Sequence, residues 1–227
     1  LKEIIFVPIT EVDGHNIVPL WVASDKKEWA AYTLRPKISR LLDEYLIPFP
    51  EVANHPWKLS DNSIDDNISL SRINPGNFNI SAFRLSWLLP GENEALQQAK
   101  SFSKNSLSEY HLHRNDPTRN GQSNLSPYLH FGHLSSQRLA LLVKKSGSPE
   151  EAKADFLEEL IVRKELSDNF CNYEPDYNLF DGFPEWAKIS LHKHEKDKRE
   201  FLYDFDQFER GQTHDTLWNA SQTELMI

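Results

Sequence analysis

The apolar positions at the start of the chain fall into short runs that predict strands. Residues 1–8 contain a nearly continuous apolar run, which is typical of a buried strand. Residues 16–22 form a second run, and Pro19 within it, which cannot donate a ladder hydrogen bond, favours the edge of a sheet. Residues 24–28 then predict the start of a helix. Two strands and a helix cannot bury a parallel sheet alone, so we expect residues 1–46 to be the end of an α/β domain.

Capping signals divide the rest of the chain into a connection and a helical region. Ser24 or Asp25 is expected to cap the first helix, which Pro36 interrupts or restarts. Residues 47–89 are rich in Pro, Asn, Asp and Ser, which predicts a connection between domains. Residues 90–227 are expected to be helical. The predicted helix starts lie at residues 90–94, 126–127, 135–137, 148–151 and 215.

Three details of the helical region carry further expectations. Ser148 and Glu151 are spaced for a capping box, and Gly211 is expected to close a short helix. The last helix, residues 217–227, ends on apolar side chains without a glycine or a cationic stop. Together with the incomplete sheet at the start, this predicts a fragment that lacks both ends of its parent protein.

Composition excludes several classes of protein. The 227 residues include one cysteine, Cys171, so a disulfide scaffold and a cysteine-ligated zinc site are excluded. His111 and His113 have no third ligand beside them, and we expect no metal site. No stretch approaches the ~20 apolar residues of a membrane span, and no basic-then-apolar leader opens the chain. We therefore expect a soluble, intracellular protein that does not bind membranes.

Charge is distributed unevenly along the chain. The formal net charge of −9 speaks against a general binder of polyanions. Residues 101–150 are the exception, with six basic and three acidic residues. An anionic ligand would be attracted to this block, although a small positive excess also fits ordinary fluctuation.

The cationic block contains the most unusual motif, residues 114–132. It is a turn-rich polar loop that leads into a Ser-Pro helix start. Free N–H groups at such a start favour a phosphate, and Ser123 and Ser126 add hydroxyl donors. Arg114 and Arg119 supply positive charge. Taken alone, these features fit an ordinary capped surface helix better than a binding site.

Residues 123–132 read Ser-Asn-Leu-Ser-Pro-Tyr-Leu-His-Phe-Gly and resemble the flavin-phosphate loop of the DNA photolyase and cryptochrome superfamily. More narrowly, the chain resembles class II cyclobutane pyrimidine dimer photolyases. The further matching segments are residues 12–19, 21–26, 156–163, 168–171, 184–187 and 213–220. They lie in order along nearly the whole chain, and the stretch around residues 50–85 fits least.

The resemblance implies a mainly α-helical, photolyase-like FAD-binding domain, preceded by the C-terminal remnant of a Rossmann-like α/β antenna domain. Residues 1–46 would end the antenna domain, residues 47–89 would connect the two, and residues 90–227 would begin the FAD- and DNA-binding domain. The implied cofactor is FAD, active in its reduced anionic form, and the full-length parent could also carry an antenna chromophore.

The activity implied by the resemblance is light-driven DNA repair. Reduced FAD passes an electron to a cyclobutane pyrimidine dimer flipped out of the duplex, the ring splits, and the electron returns. The enzyme would be a carbon–carbon lyase, and its partner would be damaged DNA bound by a monomer. We expect repair of the full-length parent, whereas this stretch alone is expected to bind FAD weakly or not at all.

The resemblance also assigns roles to individual residues. The implied cofactor-binding residues are Tyr110, Ser123, Asn124, Leu125 and Ser126. The implied lesion-binding residues are Arg114, Asn115 and Arg163. Several relatives place a tryptophan that packs on the dimer in the stretch containing Arg163, whose guanidinium can stack on a base or pair with a phosphate.

Glu159 and Trp218 are the implied catalytic residues. Glu159 would hydrogen-bond the dimer and stabilise charge on a pyrimidine carbonyl, a role suited to a protonated or hydrogen-bonded carboxyl. Glu158 and Glu159 lie ~100° apart on a helix, so we expect Glu159 to face inward and Glu158 to face water. Without the resemblance, Glu159 would be a solvated surface carboxylate. Trp218 would belong to a tryptophan relay whose other members lie beyond residue 227, and the alternative is a core aromatic.

Two other functions share parts of this pattern. A cryptochrome-like blue-light receptor without repair activity would use the same flavin loop, although Glu159, Arg114 and Asn115 favour repair. A helical nucleic-acid-binding module without a cofactor is the third interpretation, and the net charge of −9 weakens it.

Overall fold

The structure, a computed structural model, describes residues 8–51 and 88–226. Over these ranges the secondary structure is helical and includes no strand, in agreement with the mainly helical fold expected of a photolyase-like domain. Residues 1–7 of the strand predicted at residues 1–8, and residues 52–87 of the connection predicted at residues 47–89, fall outside them.

Residues 8–51 and 88–182 form one compact unit, and residues 183–226 form another. The helices of the first unit are α1 (Leu20–Ala23), α2 (Ala31–Tyr45), α3 (Glu92–Asn105), α4 (Tyr110–His113), α5 (Ser126–His130), α6 (Ser136–Lys144), α7 (Glu150–Leu157) and α8 (Lys164–Tyr173). A π-helical segment, Glu158–Arg163, joins α7 to α8, and 3₁₀ turns lie at Leu107–Glu109 and Phe180–Gly182. The core is one apolar cluster built mainly from α2, α3, α6, α7 and the π-helical segment.

The second predicted strand, residues 16–22, is wrong. The segment is irregular and leads into the single turn of α1. Pro19, at φ −51°, is the N-cap of this turn, and its carbonyl oxygen accepts the first backbone hydrogen bonds. The Asp13 carboxylate accepts the backbone N–H groups of Asn16 and Leu20, both at 3.0 Å. These groups are therefore satisfied locally and need no neighbouring strand.

The helix predicted to start at residues 24–28 begins later, as α2. Ser24 is not a cap, because its hydroxyl donates to the Glu28 carboxylate at 2.7 Å. The Lys37 ammonium donates to both Ser24 and Glu28, so buried polar contacts hold this segment in place of helical hydrogen bonds. The helix then continues through Pro36, and the predicted interruption is also wrong.

The remaining helix starts lie close to where capping residues predict them. Helix α3 follows Gly91, and the Ser135 hydroxyl accepts a first-turn N–H of α6, which confirms both starts. Helices α5 and α7 are also present, but neither Ser126 nor Ser148 caps them. The predicted capping box is wrong because Pro149, and not Ser148, occupies the N-cap position of α7.

Helix α8 holds the N-terminal segment of the first unit in place. The Glu165 carboxylate accepts the backbone N–H of Ile17 at 2.7 Å, and the Asn169 amide oxygen accepts that of Glu28 at 2.7 Å. Glu165 and Asn169 are both buried, so these bonds lie in a region where unpaired polar groups are costly.

The second unit contains α9 (Glu185–His194), α10 (Phe205–Glu209) and α11 (Thr216–Met226). Helix α10 starts with a capping box between Asp204 and Gln207. Gly211, which was predicted to close a short helix, follows α10 at φ +61°. The Asp215 carboxylate accepts the backbone N–H groups of Leu217 and Trp218 at 2.9 and 3.1 Å. The predicted cap of the last helix is confirmed.

Candidate functional site

Residues 114–125 form the loop between α4 and α5. Asp116 closes its first turn, since its carboxylate accepts the Thr118 hydroxyl at 2.6 Å and the Thr118 N–H at 2.9 Å, and these bonds lower the pKa of Asp116. Gly121 lies directly against α4, where an added Cβ atom would approach the His113 carbonyl oxygen to 2.5 Å. Only glycine therefore lets the loop lie this close to the helix.

The second half of the loop is fixed by its backbone. The Gln98 side-chain amide of α3 donates to the Ser123 carbonyl oxygen at 2.9 Å. Asn124 adopts a left-handed conformation with φ +56°, which asparagine tolerates better than most residues. The Leu125 side chain is fully buried in the core. The loop is thus attached from both sides, with serines on either side of a buried anchor.

A cavity of about 490 Å³ lies beside the loop. The side chains that line it are His15, Tyr110, Arg114, Asn115, Gln122, Ser123, Ser126, Leu129, His130, Phe156, Glu159, Leu160 and Lys164. Six of the residues predicted for the site are among them, namely Tyr110, Arg114, Asn115, Ser123, Ser126 and Glu159. Asn124, Leu125 and Arg163 do not line it.

An ion pair marks the polar wall of the cavity. The Arg114 guanidinium lies 2.5 Å from the Glu159 carboxylate and 3.9 Å from that of Asp155. The bond to Glu159 raises the pKa of Arg114. Glu158 and Glu159 are the first two residues of the π-helical segment, and π-helical turns are frequent at functional sites. The Glu159 carboxylate, which lines the cavity and is 39% exposed, is therefore hydrogen-bonded by a charged donor.

Aromatic rings give the cavity its apolar lining. Tyr110 and Phe156 both line the cavity, edge to face with centroids 5.2 Å apart, and Phe102 packs behind both. Burial raises the pKa of the Tyr110 hydroxyl, and the neighbouring Arg114 partly offsets this effect. The site thus combines an aromatic wall with serine hydroxyls and a guanidinium.

The prediction that Glu158 faces water is wrong. The Arg35 guanidinium of α2 binds it through two hydrogen bonds of 2.7 and 3.0 Å, and these bonds lower the pKa of Glu158. Arg163 is exposed and lies 3.5 Å from the same carboxylate. The two adjacent glutamates are therefore held by different arginines, Glu158 by Arg35 and Glu159 by Arg114.

Seven of the residues that line the cavity were not predicted for the site, and His15 and Lys164 are two of them. The Lys164 ammonium donates to the Asn16 side-chain oxygen at 2.9 Å and to Asp168 at 3.1 Å, and the His15 ring lies 3.5 Å from the same Asp168 carboxylate. Both residues lie inside or next to segments that carry the resemblance, and this was the available signal.

Trp218 lies in the second unit, on α11. Its indole N–H donates to the Phe208 carbonyl oxygen at 3.3 Å, and its ring meets that of Phe208 edge to face at 5.4 Å. It is about half exposed and so is not a buried core aromatic of this unit.

Among the described residues, no group of three or more His, Cys, Asp or Glu side chains is arranged to hold a metal ion. Within the same ranges, no helix has the length and apolar character needed to cross a bilayer.

Fold and cavity together define a mainly helical protein with a candidate ligand site lined by aromatic rings, serines and an arginine. No family model matches the chain. The deoxyribodipyrimidine photo-lyase of Oryza sativa subsp. japonica is 44% identical over 229 residues, which span 97% of this chain and 45% of that protein. The protein of the same name from Arabidopsis thaliana is 44% identical over 96% of this chain and 46% of its own length. The protein of the same name from Potorous tridactylus is 42% identical over 96% of this chain and 41% of its own length.

The chain spans about half the length of the curated relatives it matches. Over nearly all of its own length the chain is similar to proteins of one name, deoxyribodipyrimidine photo-lyase. The resemblance inferred from the sequence motifs is confirmed.

Proposed function

We propose that this chain is the part of a light-driven DNA repair enzyme, of the class II type, that holds the phosphates of FAD and contacts a cyclobutane pyrimidine dimer. The observation that carries the proposal is the cavity. It gathers residues from α4, the 114–125 loop, α5 and the π-helical segment, and six of its thirteen lining residues were expected from the resemblance alone. The shared name of the relatives supports the same activity.

The residues present fit FAD. The hydroxyls of Ser123 and Ser126 are donors for phosphate oxygens, and Arg114 contributes a positive charge to the same wall. The rings of Tyr110 and Phe156 offer an apolar surface to an aromatic ring system. Gly121 keeps the loop close to α4, so the two serines stay at the edge of the cavity.

When bound, reduced FAD would supply the light-driven electron for ring splitting, and the chain's own residues would supply position and electrostatics. The Arg114 guanidinium is a preorganised donor for the pyrimidine carbonyl on which negative charge develops. Glu159 holds that guanidinium at 2.5 Å and so fixes its position at the cavity. Asn115 is exposed beside the pair, where it can contact a base that has left the duplex.

Titration of the purified chain with FAD, followed by flavin fluorescence, tests the cofactor site. We expect the chain to bind FAD weakly but saturably. Ser123 and Ser126 donate the hydrogen bonds to the charged phosphates in this proposal, so their removal should weaken binding. The combined Ser123→Ala and Ser126→Ala variant should bind at least about tenfold more weakly. Ser101→Ala, an exposed serine of α3 outside the cavity, is the matched control. Equal affinity in the double variant would refute the assignment.

Repair itself is tested in a chimaera, in which this chain replaces the matching half of the Arabidopsis thaliana relative. We expect the chimaera to retain FAD and to cleave a thymine dimer in an oligonucleotide under blue light. Glu159→Gln should slow cleavage without removing FAD. A chimaera that retains FAD and does not cleave the dimer would favour a cryptochrome-like receptor.

A further inference from the structure

A row of aromatic rings crosses the second unit from Trp218 to His214. The rings of Trp218 and Phe208 meet edge to face at 5.4 Å, and Phe208 meets Tyr203 in the same way at 5.4 Å. Tyr203 in turn lies parallel to the His214 imidazole, with a centroid distance of 5.8 Å and an interplanar angle of 12°. A single ring, that of Phe208, therefore separates Trp218 from Tyr203.

Two hydrogen bonds orient the Tyr203 hydroxyl. The backbone N–H of His214 donates to the hydroxyl oxygen at 2.8 Å, and the hydroxyl lies 2.6 Å from Nδ1 of the same histidine. Because the backbone group can only donate, the tyrosine oxygen accepts that bond and its own proton points to Nδ1. The histidine is then the tautomer that carries its proton on Nε2. Tyr203 thus has a base in place for its proton.

Trp218 has no such base. Its indole N–H donates to the Phe208 carbonyl oxygen at 3.3 Å, and a backbone carbonyl does not take up a proton in water. A Trp218 that loses an electron therefore starts as a cation with no side-chain base in place for its N–H proton. The Phe201 ring is stacked on the His214 imidazole, with the ring centroids 3.9 Å apart.

We propose that Tyr203 and His214 form a proton-coupled electron donor to Trp218. The inference rests on the proposed function and on the tryptophan relay that the family resemblance implies, in which Trp218 would give up one electron towards oxidised FAD. The Trp218 radical cation then takes one electron from Tyr203, while the phenolic proton of Tyr203 passes to Nδ1 of His214. The products are neutral Trp218, a neutral tyrosyl radical and a His214 imidazolium, so charge and electrons balance.

The step can be tested without FAD or DNA. A ruthenium tris-bipyridine photosensitiser is attached to a cysteine introduced by Ser221→Cys, one turn beyond Trp218 on α11, with Cys171→Ser removing the native thiol. A flash with a soluble electron acceptor generates ruthenium(III), which oxidises Trp218. Transient absorption follows the tryptophan radical, and electron paramagnetic resonance identifies the tyrosyl radical.

In the labelled chain we expect the tryptophan radical to decay as the tyrosyl radical forms, and more slowly in D₂O. Tyr203→Phe removes the proposed electron donor together with its hydrogen bond. It should therefore lengthen the tryptophan radical lifetime at least about tenfold and remove the tyrosyl signal. His214→Gln keeps a hydrogen-bond acceptor but not a base, and should have the same effect. Trp218→Phe should abolish the tyrosyl radical, and Tyr177→Phe in the first unit is the control.

Three results would overturn the inference: an unchanged tryptophan lifetime in Tyr203→Phe, unchanged tyrosyl formation in His214→Gln, or no deuterium effect in the labelled chain that retains both residues. The last measurement needs no change at Tyr203 or His214, so it decides the matter even where a variant does not fold. Because the oxidant is the attached ruthenium label, a failure of FAD binding or repair would refute the proposed function and leave this result standing.

Discussion

The buried carboxyl of Glu165 makes the stability of the chain depend on pH in an unusual direction. Burial raises the pKa of Glu165 from 4.5 to about 7, and the N–H bond from Ile17 and the charge of Lys164 only partly offset this effect. Its Oε2 atom is buried without a hydrogen-bond partner. Replacement by glutamine keeps an oxygen to accept the Ile17 N–H and removes the titration.

The sign follows from proton binding. Between pH 4.5 and about 7 the folded chain keeps a proton on Glu165 that the unfolded chain has released. The stabilisation is therefore complete below pH 4.5 and is lost as the pH rises through about 7. That interval corresponds to about 3 kcal/mol, a large part of the roughly 5–15 kcal/mol by which domains are stable.

Urea unfolding followed by circular dichroism at a series of pH values measures the effect. We expect Glu165→Gln to gain about 3 kcal/mol relative to the unmodified chain as the pH rises across this interval, and to change little below it. Other titrating groups contribute equally to both proteins and cancel in the difference. Glu151→Gln, at an exposed position of α7, should follow the unmodified chain. A constant difference between Glu165→Gln and the unmodified chain at all pH values would refute the reasoning.

Three further substitutions test the fold around the site. Burial alone would raise the pKa of Glu28, but the bonds from Lys37 and neighbouring hydroxyls lower it to about 2, so about 3 kcal/mol present above pH 4.5 should be lost as the pH falls to about 2. Glu28→Gln should abolish this acid dependence in urea titrations and leave the chain less stable at neutral pH, because Lys37 loses its partner. Gly121→Ala should destabilise the chain by about 1–3 kcal/mol in thermal unfolding and weaken FAD binding, and unchanged values for both would contradict the close approach to α4. Leu125→Ala should lower the free energy of unfolding by about 2–5 kcal/mol, whereas Leu112→Ala, at an exposed position, should change it little.

The parts of the fold that were predicted correctly are those set by local chemistry. The starts at Gly91, Ser135 and Asp215 depend on residues within a turn of the helix end, and the sequence contains that information. The N-terminal segment was predicted wrongly because its structure depends on contacts with a helix more than 140 positions away. Ile17 and Glu28 donate their N–H groups to side chains of α8, and no local pattern encodes that choice.

The candidate site divides in the same way. Ser123, Ser126 and Glu159 were expected from the family resemblance, whereas loop composition alone favoured a surface helix. Arg35 and Lys164 were missed, because a long cationic side chain on a helix usually faces solvent and its partner comes from a distant segment.

The π-helical segment at Glu158–Arg163 also constrains how this region tolerates insertions and deletions. The wider winding of this segment takes up one residue more than an α-helix would, so removing one residue restores ordinary α-helical winding and leaves α8 facing the same way. Glu165 and Asn169 would then keep the backbone groups they hold. Glu158 and Glu159 lie inside the segment and would lose the directions in which Arg35 and Arg114 bind them. A homologue shortened by one residue here is therefore expected to keep the N-terminal segment attached and to lose the arrangement of the two glutamates, whereas a one-residue deletion within α8 itself would turn the residues beyond it by about 100°.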